Sequence, residues 1–282
     1  MLGYELSGVV AAVAGDVDTV AVGDEVFALT PFDRDGVAAE YAAVLAWTLA
    51  AKPSTLRHAV SAALPLPALS AWQGLFTHGR LEPGERVLVH GAVGGVGQFA
   101  TQLARWRGAH VIATASPPAF ERARALGADA VIDGRTELDG RVGALGLIFD
   151  TVGGDIFERA PDLLADGGRL VTVAAEPPSD GTYFVVEPRR EQLLELARLA
   201  DDGELQVAID STFVLADGPL RSIAASPRAS TARSSSSSAR DPRTSDPSGW
   251  RTSSRSRKTQ VGPEQSSQPG ERSGGVRLIE VG

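Results

Sequence analysis

From the amino terminus to about Ala216, the chain alternates short runs rich in Val and Ile with longer stretches whose apolar positions recur every three to four residues. Glycines separate the two kinds of segment, as expected of strands alternating with helices. Leu6 to Val13, Glu25 to Leu29 and Tyr41 to Val44 read as short strands, joined by turns containing Gly15, Gly23, Asp24 and Gly36. They predict a small antiparallel β unit. From Arg86 the order becomes RVLVH, a glycine turn, QFATQLARWRG, HVIATA, AFERARALG, AVID, LIFD, IFERAPDLLADG and RLVTVA. Apolar strands linked by amphipathic helices predict an α/β fold with a doubly wound parallel sheet. Thr182 to Glu187 (TYFVVE) reads as a late edge strand. The stretch Arg190 to Ala200 reads as a helix that turns Leu193, Leu194, Leu196, Ala197 and Ala200 to a sheet face.

After Ala216 the pattern stops. Asp217 to Gly275 is rich in Ser, Arg and Pro, has Trp250 as its one aromatic, and carries about +5 of charge. With a net charge of −8 for the whole chain, the remainder holds about −13. So little apolar surface cannot offset the entropy of ordering, which predicts a disordered tail over residues 217–282. The tail lacks the interleaved aromatics of a nucleic-acid surface, so no nucleic-acid partner is expected.

Composition narrows the chemistry. The 282 residues contain no Cys, which removes disulfides, Cys-based zinc sites and thiol nucleophiles. Lys52 and Lys258 are the two lysines, and neither follows a glycine-rich loop, so a P-loop is absent. His58, His78, His90 and His110 have no metal-binding spacing, and His90, ending an apolar strand, reads as a core histidine. Neither G-x-S-x-G nor HExxH occurs. No apolar run approaches the roughly 20 residues that span a bilayer, and the start has no signal-peptide pattern, so a cytoplasmic location without a membrane partner is expected.

The most informative stretch is Val87 to Arg105, VLVHGAVGGVGQFATQLAR. An apolar strand runs straight into glycines and then into a helix. Ala92, Gly94 and Gly97 occupy the three small positions of a dinucleotide fingerprint, for a tight turn, close approach to a diphosphate and helix–strand packing. Gly95 adds freedom, and a helix starting at Gly95 or Val96 turns free N–H groups toward an anion. At the end of the second strand, His110 to Ala115, the carboxylate that marks NAD is replaced by Ser116. A hydroxyl accommodates a 2′-phosphate that a carboxylate would repel, which favours NADP (NADPH). Arg122 and Arg124 are nearby sources of positive charge or plain surface residues.

GYELSGVV, VGDEVFAL, AEYAAV, LPLPALSAWQGL, VLVHGAVGGVG, LGADAVID, IFDTVGG and GGRLVTVA follow one another along the first 216 residues. In this order they resemble the zinc-independent quinone oxidoreductase branch of the medium-chain dehydrogenase/reductase superfamily. The resemblance implies a partial GroES-like catalytic β domain over residues 1–68 and a Rossmann domain over 69–190. A helix and return to the catalytic domain over 191–216 would follow. It also implies NADPH delivering hydride to a quinone or an α,β-unsaturated carbonyl, and a homodimer paired across the TYFVVE edge.

Carried over by position, Gly94, Gly95 and Val96 would meet the diphosphate, and Thr114 and Ser116 the adenosine ribose and its phosphate. Ser70, Val152, Val173 and Ala174 would line the nicotinamide side, with Ser70 alternatively an N-cap for a helix beginning at Ala71. No residue is assigned as the proton donor; Tyr4, Tyr41 and Ser70 are candidates. Gly3-Tyr4-Glu5 stands where zinc-dependent relatives carry Gly-His-Glu, so no metal is expected. Pro117 and Pro118 replace a usual basic residue, and Gly134 replaces an aromatic. The chain is expected to lack the family's first strands, its closing helix and its final strand, the reading frame changing near Asp217. The alternative function is a coenzyme-binding pseudoenzyme or nonfunctional gene product.

Overall fold

The computed structural model describes residues 3–135, 142–177, 180–215 and 275–281. The first 51 residues contribute β1 (Glu5–Val13), β2 (Glu25–Leu29), β3 (Tyr41–Leu45) and β4 (Ala50–Ala51). Strands β1 and β2 are antiparallel, pairing from Glu5 with Leu29 to Val9 with Glu25. Leu6, Val10, Val26, Ala28, Val44 and Leu49 pack together as the core of this unit. Alternation is clearest in β3, where Ala42 and Val44 are buried and Tyr41 and Ala43 exposed, as a sheet with one wet face requires.

Two expectations about the carboxyl terminus part here. The disorder expected over residues 217–282 falls on undescribed residues up to 274, and over 275–281 it is corrected by a strand. The expected absence of a closing strand is corrected, because Gly275–Val281 (GVRLIEV) forms the strand inserted antiparallel between β1 and β3. Val276, Leu278, Ile279 and Val281 give this segment a strand composition. Seven such residues were diluted by the long Ser/Arg-rich stretch before them.

The second sheet is parallel and six-stranded. Its members are β5 (Arg86–His90), β6 (His110–Ala115), β7 (Ala130–Asp133), β8 (Leu145–Asp150), β9 (Leu164–Thr172) and β10 (Thr182–Tyr183). Gly275–Val281, last in the chain, is β11. The order β10-β9-β8-β5-β6-β7 puts the chain to one side of β5 first and to the other side afterwards. The sheet therefore has its switch point between β5 and β8, where open α/β sheets form a crevice beyond the strand carboxyl ends. Strand β10 is shorter than TYFVVE predicts, since the Phe184 N–H reaches the Thr172 carbonyl, at the last residue of β9. Beyond it Phe184 and Val186 are still buried.

The α-helices among the described residues are α1 (His58–Ser61), α2 (Pro65–Trp72), α3 (Gly95–Trp106), α4 (Phe120–Ala125), α5 (Asp155–Glu158), α6 (Ala160–Leu163) and α7 (Arg190–Asp201). Helix α2 begins at Pro65, suited to a first turn by its fixed φ, and runs on into a π-helical turn, Gln73–His78. Ser70 is thus inside the helix, not its N-cap. Its hydroxyl donates to the Leu66 carbonyl one turn earlier (2.8 Å). Leu69 of α2, Phe99 and Leu103 of α3, and Leu193 and Leu196 of α7 share one core with Val87, Val89 and Phe149 of the sheet. The run His58–His78 has the length and apolarity of a membrane-crossing helix, correcting the sequence reading. More than half of its most apolar window is buried in the protein's own core, which accounts for that composition.

Candidate functional site

Strand β5 ends at His90, and the chain reverses at Gly91, whose φ of +82° suits glycine. A Cβ there would stand 2.5 Å from Val152 Cγ2 and 2.7 Å from Thr151 Oγ1. The tight turn therefore belongs to Gly91, not to Ala92. Its signal in the sequence is a glycine immediately after an apolar strand. Ala92 is fully buried, its N–H bonded to the Thr114 carbonyl (3.0 Å). Gly94 is the N-cap of α3 and donates to the Gly91 carbonyl (3.0 Å). Gly97 is the close-packing glycine, since a Cβ there would sit 2.0 Å from the Gly91 carbonyl oxygen. Gly95 differs from both, with nothing within 4 Å of its Cβ position. The first N–H groups of α3 have no acceptor within the helix, and its first turn holds no acid. Their dipoles make this corner attractive to an anion without any lysine.

Beneath the turn lies a buried polar network joining four strand ends. Thr114 Oγ1 accepts the Gly91 N–H (3.0 Å) and donates to His90 Nδ1 (2.6 Å). His90 Nε2 then faces the Gly153 carbonyl (3.3 Å), which fixes its proton on that nitrogen. Asp150, fully buried, accepts from Thr172 Oγ1 (2.8 Å) and from the N–H groups of Val152 (3.1 Å) and Gly153 (3.0 Å). Thr172 Oγ1 accepts the Ala174 N–H in turn (3.0 Å). Burial holds the His90 imidazole below its ordinary range, and the Asp150 carboxylate opposes that shift. His90 is accordingly the satisfied core histidine that the sequence suggests.

This network brings most of the expected residues together. Val152 touches the Cβ position of Gly91, and Ala174 that of Gly153, so the ends of β8 and β9 flank the glycine turn. Val152 is exposed and Val173 half-buried there. Thr114 is buried with its hydroxyl engaged, whereas Ser116, at the end of β6, is exposed and makes no capping bond. Arg124 is held by Glu121 and lies over the Phe120 ring, and Arg122 is exposed. A cation the sequence reading missed is Arg135, paired with Asp133 (3.5 Å). Asp133 is the register partner of Ala115, so Arg135 follows the strand end beside Ser116. Its signal was a basic residue two positions after AVID.

Residues 95–210 match the family described as zinc-binding dehydrogenase. A solved alcohol dehydrogenase superfamily protein from Novosphingobium aromaticivorans is 32% identical, with a TM-score of 0.71 over 78% of this chain and 75% of that one. The chain belongs to the medium-chain dehydrogenase/reductase superfamily. The quinone oxidoreductase of Coxiella burnetii is 26% identical, with a TM-score of 0.69, covering 79% of this chain and 74% of that chain. The NADPH-dependent alkenal/one oxidoreductase of Arabidopsis thaliana chloroplasts is 32% identical over 217 residues, 74% of this chain and 55% of that protein. This member of the superfamily spans about half the length of the curated relatives it matches.

Zinc does not fit the residues present in this medium-chain dehydrogenase/reductase. The chain has no Cys, and His110 is the one histidine between residues 95 and 210. Among the described residues no three His, Cys, Asp or Glu side chains gather as a metal-binding group. Tyr4 instead packs edge-on against Phe32, ring centroids 4.9 Å apart. Of the other proton-donor candidates, Tyr41 is half-exposed on β3 and Ser70 is committed to Leu66. Ser7, His58 and Glu25 stand at triad-like distances, 2.9 Å to Nδ1 and 3.0 Å to Nε2. Ser7 is fully buried and bonded to the Val26 carbonyl, so no substrate reaches it.

Glu5, beside Tyr4, is a titratable group the sequence reading passed over. Its carboxylate accepts the Leu66 N–H at the start of α2 (2.8 Å). Burial pushes the carboxyl up to about 7 from an ordinary 4.5, against the effect of that hydrogen bond. The folded state then holds a proton that the unfolded chain has released. Stability from Glu5 is fully present below pH 4.5 and is lost as pH rises through 7, by about 3 kcal/mol. Glu5→Gln keeps the acceptor and the shape but cannot ionise. It should stabilise the protein by about 2–3 kcal/mol at pH 8 and by little at pH 4.5, measured by urea unfolding. Equal effects at both pH values would reject the assignment.

Proposed function

We propose that the chain binds NADPH across the switch point of the parallel sheet and serves hydride transfer to an α,β-unsaturated carbonyl or a quinone, without zinc. The observation that carries this reading is the corner formed by Gly91, Gly94 and α3. A backbone-only surface there, with free N–H groups and open space over Gly95, suits a diphosphate. The names of the alkenal/one oxidoreductase and the quinone oxidoreductase support the choice of acceptor. Exposed Ser116, with Arg135 following the neighbouring strand, supports NADPH over NADH.

When bound, the coenzyme supplies the hydride. The chain's part is to hold it. The α3 amides would hold the diphosphate, Ser116 and Arg135 the adenosine ribose and its phosphate, and Val152, Val173 and Ala174 would make an apolar wall for the nicotinamide. Fixing donor and acceptor in a dry crevice is the main source of rate in this scheme.

Gly95→Leu tests the reading, because its Cβ has no protein atom within 4 Å and the added side chain would fill the open space assigned to the ligand. The variant should melt within about 2 °C of the parent, a surface-sized effect, yet lose the stabilisation that NADPH gives the parent. An unchanged NADPH-induced shift would overturn the site. NADPH binding without oxidation by any enone or quinone would keep the site and reject the reductase.

A further inference from the structure

The turn that follows the π-helical segment Gln73–His78 carries an unusual backbone. Arg80 has a φ of +49°, and every other positive φ among the described residues belongs to a glycine. The surroundings impose this shape. The Gly79 N–H bonds to the Gly74 carbonyl and the Leu81 N–H to the Leu75 carbonyl, both at 2.9 Å. Arg169, held by both carboxylate oxygens of Glu85, donates to the carbonyls of Gly79 (2.9 Å) and Arg80 (3.3 Å). Glycine would take the same shape without the steric cost that a Cβ brings. The turn itself therefore has no need of an arginine, and backbone strain of this kind marks functional positions.

Arg80 lines a cavity of about 520 Å³, the size of a small-molecule site, together with three aromatic rings. Trp72 ends α2 and Trp106 ends α3, their ring centroids 6.1 Å apart, and Phe76 stands edge-on to Trp72 at 4.8 Å. Trp106 is 36% exposed, so this aromatic wall is open to solvent. The other charges around the cavity cancel in pairs: Arg107 reaches Glu82 (3.6 Å), and Glu195 is bonded to Arg198 (2.7 Å). Arg80 is exposed, and its guanidinium has no hydrogen-bond or ion-pair partner among the described residues. The charge left over is thus a cation beside aromatic faces and edges. We propose that this cavity binds a planar aromatic carboxylate, with its ring against Trp72, Phe76 and Trp106 and its carboxylate on Arg80. Trp106 is about 16 Å along α3 from Gly95, which makes this a second site, independent of the coenzyme reading.

Calorimetry with 2-naphthoate and its uncharged amide tests the proposal. The parent should prefer the carboxylate by about fivefold to tenfold, the scale of one hydrogen bond to a charged group. Arg80→Gly should abolish that preference while melting no lower than the parent, since glycine relieves the strained φ. Arg80→Lys, which keeps the cation, should retain most of the preference. Trp106→Leu should weaken both ligands alike, and saturating NADPH should displace neither. No binding of 2-naphthoate to the parent, equal affinity for the amide, displacement by NADPH, or a preference that survives in Arg80→Gly would each overturn the site.

Discussion

Gly97→Ala is expected to lower NADPH affinity by about a hundredfold. The added carbon would lie 2.0 Å from the Gly91 carbonyl oxygen, 2.7 Å from its carbon and 2.9 Å from the Ala92 Cα. All three are backbone atoms, so no rotamer change relieves the clash; α3 must move away from the turn. Overpacking of this kind costs about 1–3 kcal/mol of stability. The damage to binding is larger because diphosphate recognition depends on several N–H groups aimed at one point, which a shift of about 1 Å disperses. Thermal melts with and without NADPH separate the two losses. Gly95→Ala is the control for folding alone: a Cβ there meets no protein atom within 4 Å, and the exchange of Gly for Ala in a helix is worth up to about 1 kcal/mol. If Gly97→Ala binds NADPH like the parent, the corner is a packing turn and not a coenzyme site.

The contrast between these two glycines shows what a sequence can and cannot reveal. RVLVH and HVIATA are continuous apolar runs because central parallel strands are buried on both faces, and the structure bounds them at Arg86–His90 and His110–Ala115 as read. The glycine pattern between them was legible for the same reason, as a strand feeding a helix through residues without side chains. What spacing could not reveal was division of labour: that Gly91 makes the turn, Gly97 the packing and Gly95 the open face. The role of Gly91 depends on Val152 and Thr151, about 60 residues away in sequence, and those of Gly97 and Gly95 on the path the turn takes in three dimensions. The N-cap alternative for Ser70 rests on the local preference of Ser for helix ends, which Pro65 overrides by starting the helix earlier. Glu5 was hidden because burial, and not residue type, sets its behaviour.

Asp150 carries the second large expectation, and it concerns the floor of the crevice. Asp150→Ala should destabilise the protein by about 4 kcal/mol, and Asp150→Asn by roughly half as much. The carboxylate is fully buried and receives Thr172 Oγ1 and the N–H groups of Val152 and Gly153. Alanine leaves all three donors without this acceptor, the Thr172 hydroxyl in a fully buried position, and an unpaired buried donor costs about 1–3 kcal/mol. Asparagine keeps one oxygen but turns its amide hydrogens toward donors. For a domain of this size the alanine variant should melt about 10 °C lower. Acid should widen the gap. His90 is held neutral by burial, so stability is fully present above its unfolded pKa of 6.5 and is lost as pH falls below it, where the unfolded chain takes up a proton that the folded one refuses. Asp150 opposes that refusal; without it the imidazole shifts further down and the loss between pH 6.5 and 5 becomes steeper. Urea unfolding of parent and variants across this range measures both effects. A variant that keeps parental stability, or one whose deficit does not grow on acidification, would mean that the four strand ends are held by packing alone and that the crevice owes its shape to something other than this polar network.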